Sequence, residues 1–385
     1  MKNSLIILFL LFSYFSIDYW SSWMMLQDDN NGSTRYIVYS VLLVEFLCAS
    51  SLIISSKIIK HQSITKAMVL WAFAMLGCMF VNHGSLYDIV LTLFVPILFL
   101  GVYQISHSYG SKLSDYTKLF LIIFIYGFCT FAKTFLSLNM EGQTNSIYFV
   151  LLTMPWILSL ENKKARWILF AIISIAALYS FKRSCFLIIA SMILYIAYSR
   201  LREGNGLVKK LFISLIIIGA ALMVVLLVDN MSGGFLTERL NREETDEGRN
   251  RLAIWEVTTT MIMDSSPLEW LIGHGHYGVK KNSILEITAH NDFLEVLYDY
   301  GLIIFSLYLA LWKHVVKTAF FLVKKRSEYA MAYMSSLFIF IYMSLVSHLI
   351  LYTSYFMFLI FFWAVIAGMQ VHDRTYGTNK LRLKV

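Results

Sequence analysis

Charge is scarce in this chain of 385 residues: 15% of the side chains are charged, against 58% apolar ones and a mean hydropathy of +0.66. That balance excludes a water-soluble domain, which would have to expose apolar surface that it has no charge to cover. Cysteine is also sparse. Cys48, Cys78, Cys129 and Cys185 each fall inside or at the end of an apolar block, with no zinc-ligand spacing, so neither a disulfide framework nor a cysteine metal site is expected. Proline occurs only at Pro96, Pro155 and Pro267, which argues against the paired, proline-broken spans typical of transporters. There is no repeat at fixed period and no low-complexity tract.

What is abundant is apolar sequence, in blocks of roughly 17 to 25 residues, the length needed to cross hydrocarbon as a helix. The expectation is an all-α, polytopic integral membrane protein of about twelve transmembrane helices by length and hydropathy. They lie near 4–20, 36–56, 67–82, 86–106, 117–138, 145–160, 165–181, 184–201, 210–229, 293–315, 330–349 and 351–369. The first block follows Lys2 and precedes Trp20 and Trp23 without a small-residue cleavage site, so it reads as a retained span.

Alternate connections carry the basic residues: Lys57, Lys60 and Lys66; Lys112 and Lys118; Lys163, Lys164 and Arg166; Arg200, Arg202, Lys209 and Lys210; Lys317, Lys324, Lys325 and Arg326; and Arg374, Lys380, Arg382 and Lys384. The positive-inside rule makes these connections cytoplasmic, along with both termini. The net charge of +8 is then a topology signal, and no nucleic-acid partner is expected. The chain divides into spans over 1–229, a long outer loop over 230–292, and spans with a basic tail over 293–385.

One turn breaks the charge rule. Lys182 and Arg183 fall at the outer ends of two spans with almost no loop between them, where a cation either snorkels to the interface or meets an anionic partner. Glu45, Asp88, Lys133, Asp299 and His348 lie within apolar blocks and should face the protein interior, Asp88 and Lys133 either lining a substrate path or pairing with each other.

The long loop holds the polar chemistry. Arg249 and Arg251 open a segment in which Leu252, Trp255, Thr259 and Ile262 recur at helical spacing, as in an amphipathic helix lying in the interface. Guanidinium forks at such a helix start suit phosphate oxygens, although the acidic run Glu243, Glu244, Asp246 and Glu247 offers them ordinary partners. His274 and His276 sit among glycines; with His290 they would make a metal set, but no carboxylate or cysteine completes it and no metal is expected. His290 and Asn291 stand where the chain re-enters the membrane, where a neutral imidazole is suited to take a proton from a hydroxyl. Asp292 and Glu295 have the spacing of a capping box that starts the next helix.

Three elements in this order resemble the bacterial O-antigen ligase and O-antigen polymerase superfamily. They are the short turn Phe181-Lys182-Arg183-Ser184; the helix with Arg251 and Trp255, followed by Ser266-Pro267 and Gly273-His274-Gly275; and His290-Asn291 with Gly301 beyond them. The span count and the place of the large loop resemble the superfamily too. Its ligases commonly carry Gly, Thr or Tyr three residues beyond that glycine, where this chain has Ile304, a departure that favours a polymerase.

The resemblance implies a fold similar to GT-C glycosyltransferases and a metal-independent, inverting transfer with no cofactor. The implied donor is a glycan on undecaprenyl diphosphate, at the outer face of the inner membrane. Arg183 and Arg251, with Arg249, would hold the diphosphate. His290 would orient or deprotonate the acceptor hydroxyl, while Lys182, His274, Asn291 and Glu295 would contact substrate. Membrane lipid, a chain-length regulator protein and a flippase are the implied partners. A ligase acting on lipid A-core, and a lipid or solute transporter, are the alternatives.

Overall fold

The structure, a computed structural model, describes residues 63–110, 113–137, 145–202 and 251–375, with isolated positions between 43 and 50 and between 206 and 234. Arg249, the acidic run, Cys48, Glu45 and most of the two expected spans before residue 57 lie outside the described residues. The described secondary structure is entirely helical.

Helix α1 (Ser63–Val81) is followed by α2 (Leu86–Tyr109), which opens on a reciprocal cap: Ser85 Oγ accepts the Asp88 amide at 3.2 Å and the Asp88 carboxylate accepts the Ser85 amide at 3.3 Å. Asp88 therefore caps a helix, and Lys133 in α3 (Leu113–Ser137) is exposed rather than turned inward. The block expected as one span over 145–160 is two short helices, α4 (Ile147–Leu152) and α5 (Met154–Leu158), because Pro155 supplies no amide to continue the first. Two longer helices, α6 (Lys163–Tyr179) and α7 (Arg183–Arg202), meet at a tight turn in which Phe181 has a left-handed φ of 52°.

Three short helices fill the described part of the long loop: α8 (Arg251–Met263), α9 (Pro267–Ile272) and α10 (Gly278–Asn282). The chain then enters α11 (Asp292–Lys324), α12 (Ala330–Val346) and α13 (Thr353–Thr375). Among the described residues, five helices, over 64–81, 113–136, 183–202, 292–324 and 355–372, are long and apolar enough to cross a membrane. Shorter apolar helices accompany them at 92–108, 147–158 and 330–346. Phe73, Phe80 and Ile122 are 69%, 73% and 64% exposed, an outward apolar surface that hydrocarbon covers and water would not. Inside, aromatic rings lock the bundle: Trp156 of α5 stacks on Phe120 of α3 at 3.7 Å, and Trp312 of α11 on Phe340 of α12 at 4.0 Å.

Helix α11 is a folded-back hairpin. At Gly301 the backbone leaves helical geometry (φ 73°, ψ −178°). Phe293 lies 5.4 Å from the Trp312 ring and 5.7 Å from the Tyr308 ring. In a straight helix, residues 293 and 312 would be about 28 Å apart. The arm 292–300 therefore runs back along the second arm, and that second arm, about 23 residues and roughly 34 Å long, makes the crossing. The expectation of one uninterrupted span over 293–315 is corrected accordingly. Glycine is required at the tip, because a Cβ at Gly301 would lie 2.5 Å from the backbone of Leu271. The Gly273–Gly275 loop closes over the break: the amides of His274 and Gly275 donate to the carbonyls of Tyr298 and Asp299, at 3.0 and 2.7 Å.

Candidate functional site

The residue before His290 is held from both sides. Ala289, fully buried, donates its amide to Glu295 Oε2 at 2.6 Å and accepts the Trp255 indole N–H at 2.9 Å. His290 itself adopts a left-handed φ of 51°, a conformation uncommon outside glycine that here turns the chain into α11. Asn291 then caps α11, its side-chain oxygen accepting the amides of Phe293 (2.9 Å) and Leu294 (3.3 Å) while its nitrogen donates to the Leu345 carbonyl (3.3 Å). The capping box expected from Asp292 and Glu295 is thus displaced. Asn291 takes the cap, which frees both carboxylates for other work.

That work is to tie loops together. Asp292, Glu295 and Asp299 recur along one face of the first arm, and all three are fully buried. Asp292 Oδ1 accepts the amides of Leu349 and Ile350 at 2.8 and 3.2 Å, and its Oδ2 accepts the Tyr308 hydroxyl at 3.2 Å. Glu295 fixes the turn at Ala289, and Asp299 Oδ1 accepts the Val279 amide at the start of α10 at 2.9 Å. One short helix therefore anchors the turn before it, the loop above it and the connection between α12 and α13.

That last connection carries His348. Its ring stacks on His290 at 4.5 Å and on Tyr352 at 4.7 Å, and its Nδ1 lies 3.1 Å from the hydroxyl of buried Thr288. Burial holds the His348 imidazole down at about 3, with further lowering from the neighbouring His290, Arg251 and Lys182. Lys182, from the turn between α6 and α7, and Arg251, at the start of α8, are far apart in sequence, yet the charges of both act on this ring. The charge of Arg251 also acts on Tyr148, whose hydroxyl is 2.9 Å from Ser184 Oγ and whose ring lies 5.3 Å below Lys182 Nζ. Lys182 donates to Asn145 at 2.7 Å. Arg183, half-buried, opens α7 between Lys182 and Ser184.

Arg251 begins α8, but the buried stripe of that helix is Ile254, Thr258 and Ile262. Leu252, expected on the apolar face, is 68% exposed, and Trp255 is turned toward Ala289. The stripe is displaced because the indole hydrogen bond sets the rotation of the helix. His274 stacks on Tyr298 at 4.1 Å and meets Ser265 at 2.9 Å; His276, buried, meets the Tyr300 hydroxyl at 2.5 Å. Both belong to the tip end of the hairpin arm, whereas His290 and His348 lie at its base.

Sequence reasoning placed His290, Arg251 and Arg183 at the centre of one site, with Lys182, Arg249, Asn291, Glu295 and His274 around it; it did not include Thr288 and Tyr352, left His348 unassigned, and missed the anchoring role of Asp292 and Asp299. The carboxylate spacing at 292, 295 and 299 was a visible signal of one helical face. Nothing in the local sequence connected His348 to His290.

The fold and site define a helical, multi-pass membrane protein with cations and paired imidazoles gathered where several helices end. Residues 168–309 match a family model described as O-Antigen ligase, which supports placing the chain in the O-antigen ligase and polymerase superfamily. The matched stretch runs from α6 into α11 and includes Lys182, Arg183, Arg251, His290 and Glu295. No curated protein matches the chain.

Proposed function

We propose that this chain is a glycosyltransferase that moves a glycan from undecaprenyl diphosphate to an acceptor hydroxyl at the outer face of the inner membrane. The observation that carries the reading is the stacking of His290 on His348 at 4.5 Å, within electrostatic reach of Arg251 and Lys182. Arg251, Arg183 and Lys182 hold the diphosphate, guanidinium forks matching its oxygens, and offset the charge that develops as it leaves. The acceptor oxygen forms a bond to the anomeric carbon from the face opposite the diphosphate. The bond from that carbon to the phosphate oxygen breaks, its electron pair departs with the lipid diphosphate, and the hydroxyl proton passes to His290. The cations take the neutralising role that a divalent ion would otherwise fill, so activity is expected to persist in chelator.

Two acceptors fit this chemistry. A polymerase adds the growing glycan to the next lipid-linked repeat unit, the reading favoured by Ile304 where ligases commonly carry Gly, Thr or Tyr. A ligase adds it to lipid A-core, the reading favoured by the description of the matched family. Ile304 is fully buried in the apolar core, so it would act on the acceptor only through the packing of the hairpin. The lipopolysaccharide ladder of a deletion strain separates the two. Polymerase is expected, with chains stopping at a single repeat on the core; full-length chains stranded on undecaprenyl diphosphate would assign a ligase. Unchanged glycan with Arg251→Ala and His290→Ala both present in the membrane would overturn the enzymatic reading.

A further inference from the structure

His348 belongs to neither the motif-bearing loop nor the matched stretch, yet its ring is held by several contacts. Its backbone is fixed because the two amides that follow it, those of Leu349 and Ile350, both donate to Asp292. Tyr352 and His290 both stack on the ring, and Thr288, from the same turn as His290, holds the ring through Nδ1. The stretch Thr288–Asp292 and the neighbouring Tyr352 thus specify the plane of one imidazole, which lies against the imidazole assigned to the acceptor proton. The arrangement is costly to build unless the plane matters, since it buries a polar ring among the cations Arg251 and Lys182.

We propose that His348 is a positioning residue: stacked with both Tyr352 and His290 and bonded to Thr288, it holds the His290 ring in the single orientation needed to meet the acceptor hydroxyl. The proposal rests on the reading of His290 given above. An uncharged partner ring supports His290 by contact without competing for the proton that it takes. Misplacement of a reacting group by about 1 Å costs on the order of 100-fold in rate, so losing this support should reduce turnover while leaving substrate affinity in place.

The test compares His348→Ala, His348→Phe, Thr288→Val and His290→Ala in purified full-length protein, assayed for glycan transfer from a lipid-linked oligosaccharide. His348→Ala should lower kcat by roughly 10- to 100-fold with KM unchanged. His348→Phe, which keeps a flat ring against Tyr352 and His290, should recover most of that loss, and Thr288→Val should fall between the two. If His348→Ala fails to reach the membrane, the remaining variants carry the test through the same ordering. A His348→Phe enzyme as slow as His290→Ala would overturn positioning by contact, because the nitrogens would then be what matters. Wild-type turnover in His348→Ala with an inactive His290→Ala would overturn the proposal alone. Wild-type turnover in both would overturn the function assigned to His290 as well.

Discussion

Trp255 donates its indole N–H to the carbonyl of Ala289 at 2.9 Å, joining the helix that begins at Arg251 to the turn that ends at His290. The two residues assigned to opposite ends of the reaction, one on the leaving group and one on the acceptor, are thereby held in a common frame. Trp255→Phe keeps the ring but leaves a buried carbonyl unpaired, at about 1–3 kcal/mol. The thermal midpoint in detergent should fall, and glycan transfer should drop further than the remaining folded fraction explains. Wild-type melting and turnover in this variant would show that the tie is dispensable.

Glu295 offers a contrast between charge and hydrogen bonding. Its Oε2 holds the Ala289 amide, whereas its Oε1 and Asp299 Oδ2 are both buried with no hydrogen-bond partner among the described residues. In Glu295→Gln an amide oxygen can replace Oε2, and the amide nitrogen can serve the acid-lined side. This variant should melt at or above the wild-type temperature and stay active. Glu295→Leu strands the Ala289 amide and should lose about 1–3 kcal/mol together with activity. Equal melting of the two variants would refute the role given to Oε2.

Gly301→Ala tests the hairpin. The φ of 73° with ψ near 180° is a glycine conformation, costing a substituted residue on the order of 1–3 kcal/mol, and the added Cβ would also run into the backbone of Leu271. The expected result is little or no folded protein in the membrane by immunoblot and size-exclusion profile. Normal yield and activity would mean that the chain turns elsewhere.

Acid should loosen the loop over the hairpin tip. Burial lowers His276 from the usual 6.5 to about 4, with Asp88 opposing the shift and Lys281 adding to it. A histidine with a depressed folded-state pKa binds its proton more readily when unfolded. Its neutral form therefore supports full stability above about pH 6.5, and stability declines as pH falls toward 4. Thermal midpoints measured at pH 7.5 and pH 5 should differ by less in His276→Phe than in wild type. An unchanged difference would assign the acid sensitivity to other groups, His348 among them.

Much of the helical bundle is legible because burying a backbone in hydrocarbon demands helices, and helices of that length need apolar runs that composition alone reveals. The helices at 63–81, 86–109, 113–137, 163–179 and 183–202 fall close to the apolar blocks that forecast them. The exceptions are instructive. Pro155 was visible, yet the apolar run around it hid the break between α4 and α5. Gly301 was visible as a motif residue, yet hydropathy cannot distinguish a straight helix from one folded back on itself, since both arms are apolar.

The sequence by itself determined the chemistry on offer: an oily chain, a polar loop bearing Arg251 and His290, and a pair of cations at Lys182 and Arg183 that break the charge rule. Tertiary structure alone decided which of these residues meet. A hairpin at Gly301 lowers the turn of His290 to the end of α12, Asp292 draws the His348 connection onto it, and Trp255 sets the rotation of the arginine-bearing helix. Each is a contact between segments distant in the chain. Composition and spacing encode which side chains seek burial or a partner, but packing selects the partner.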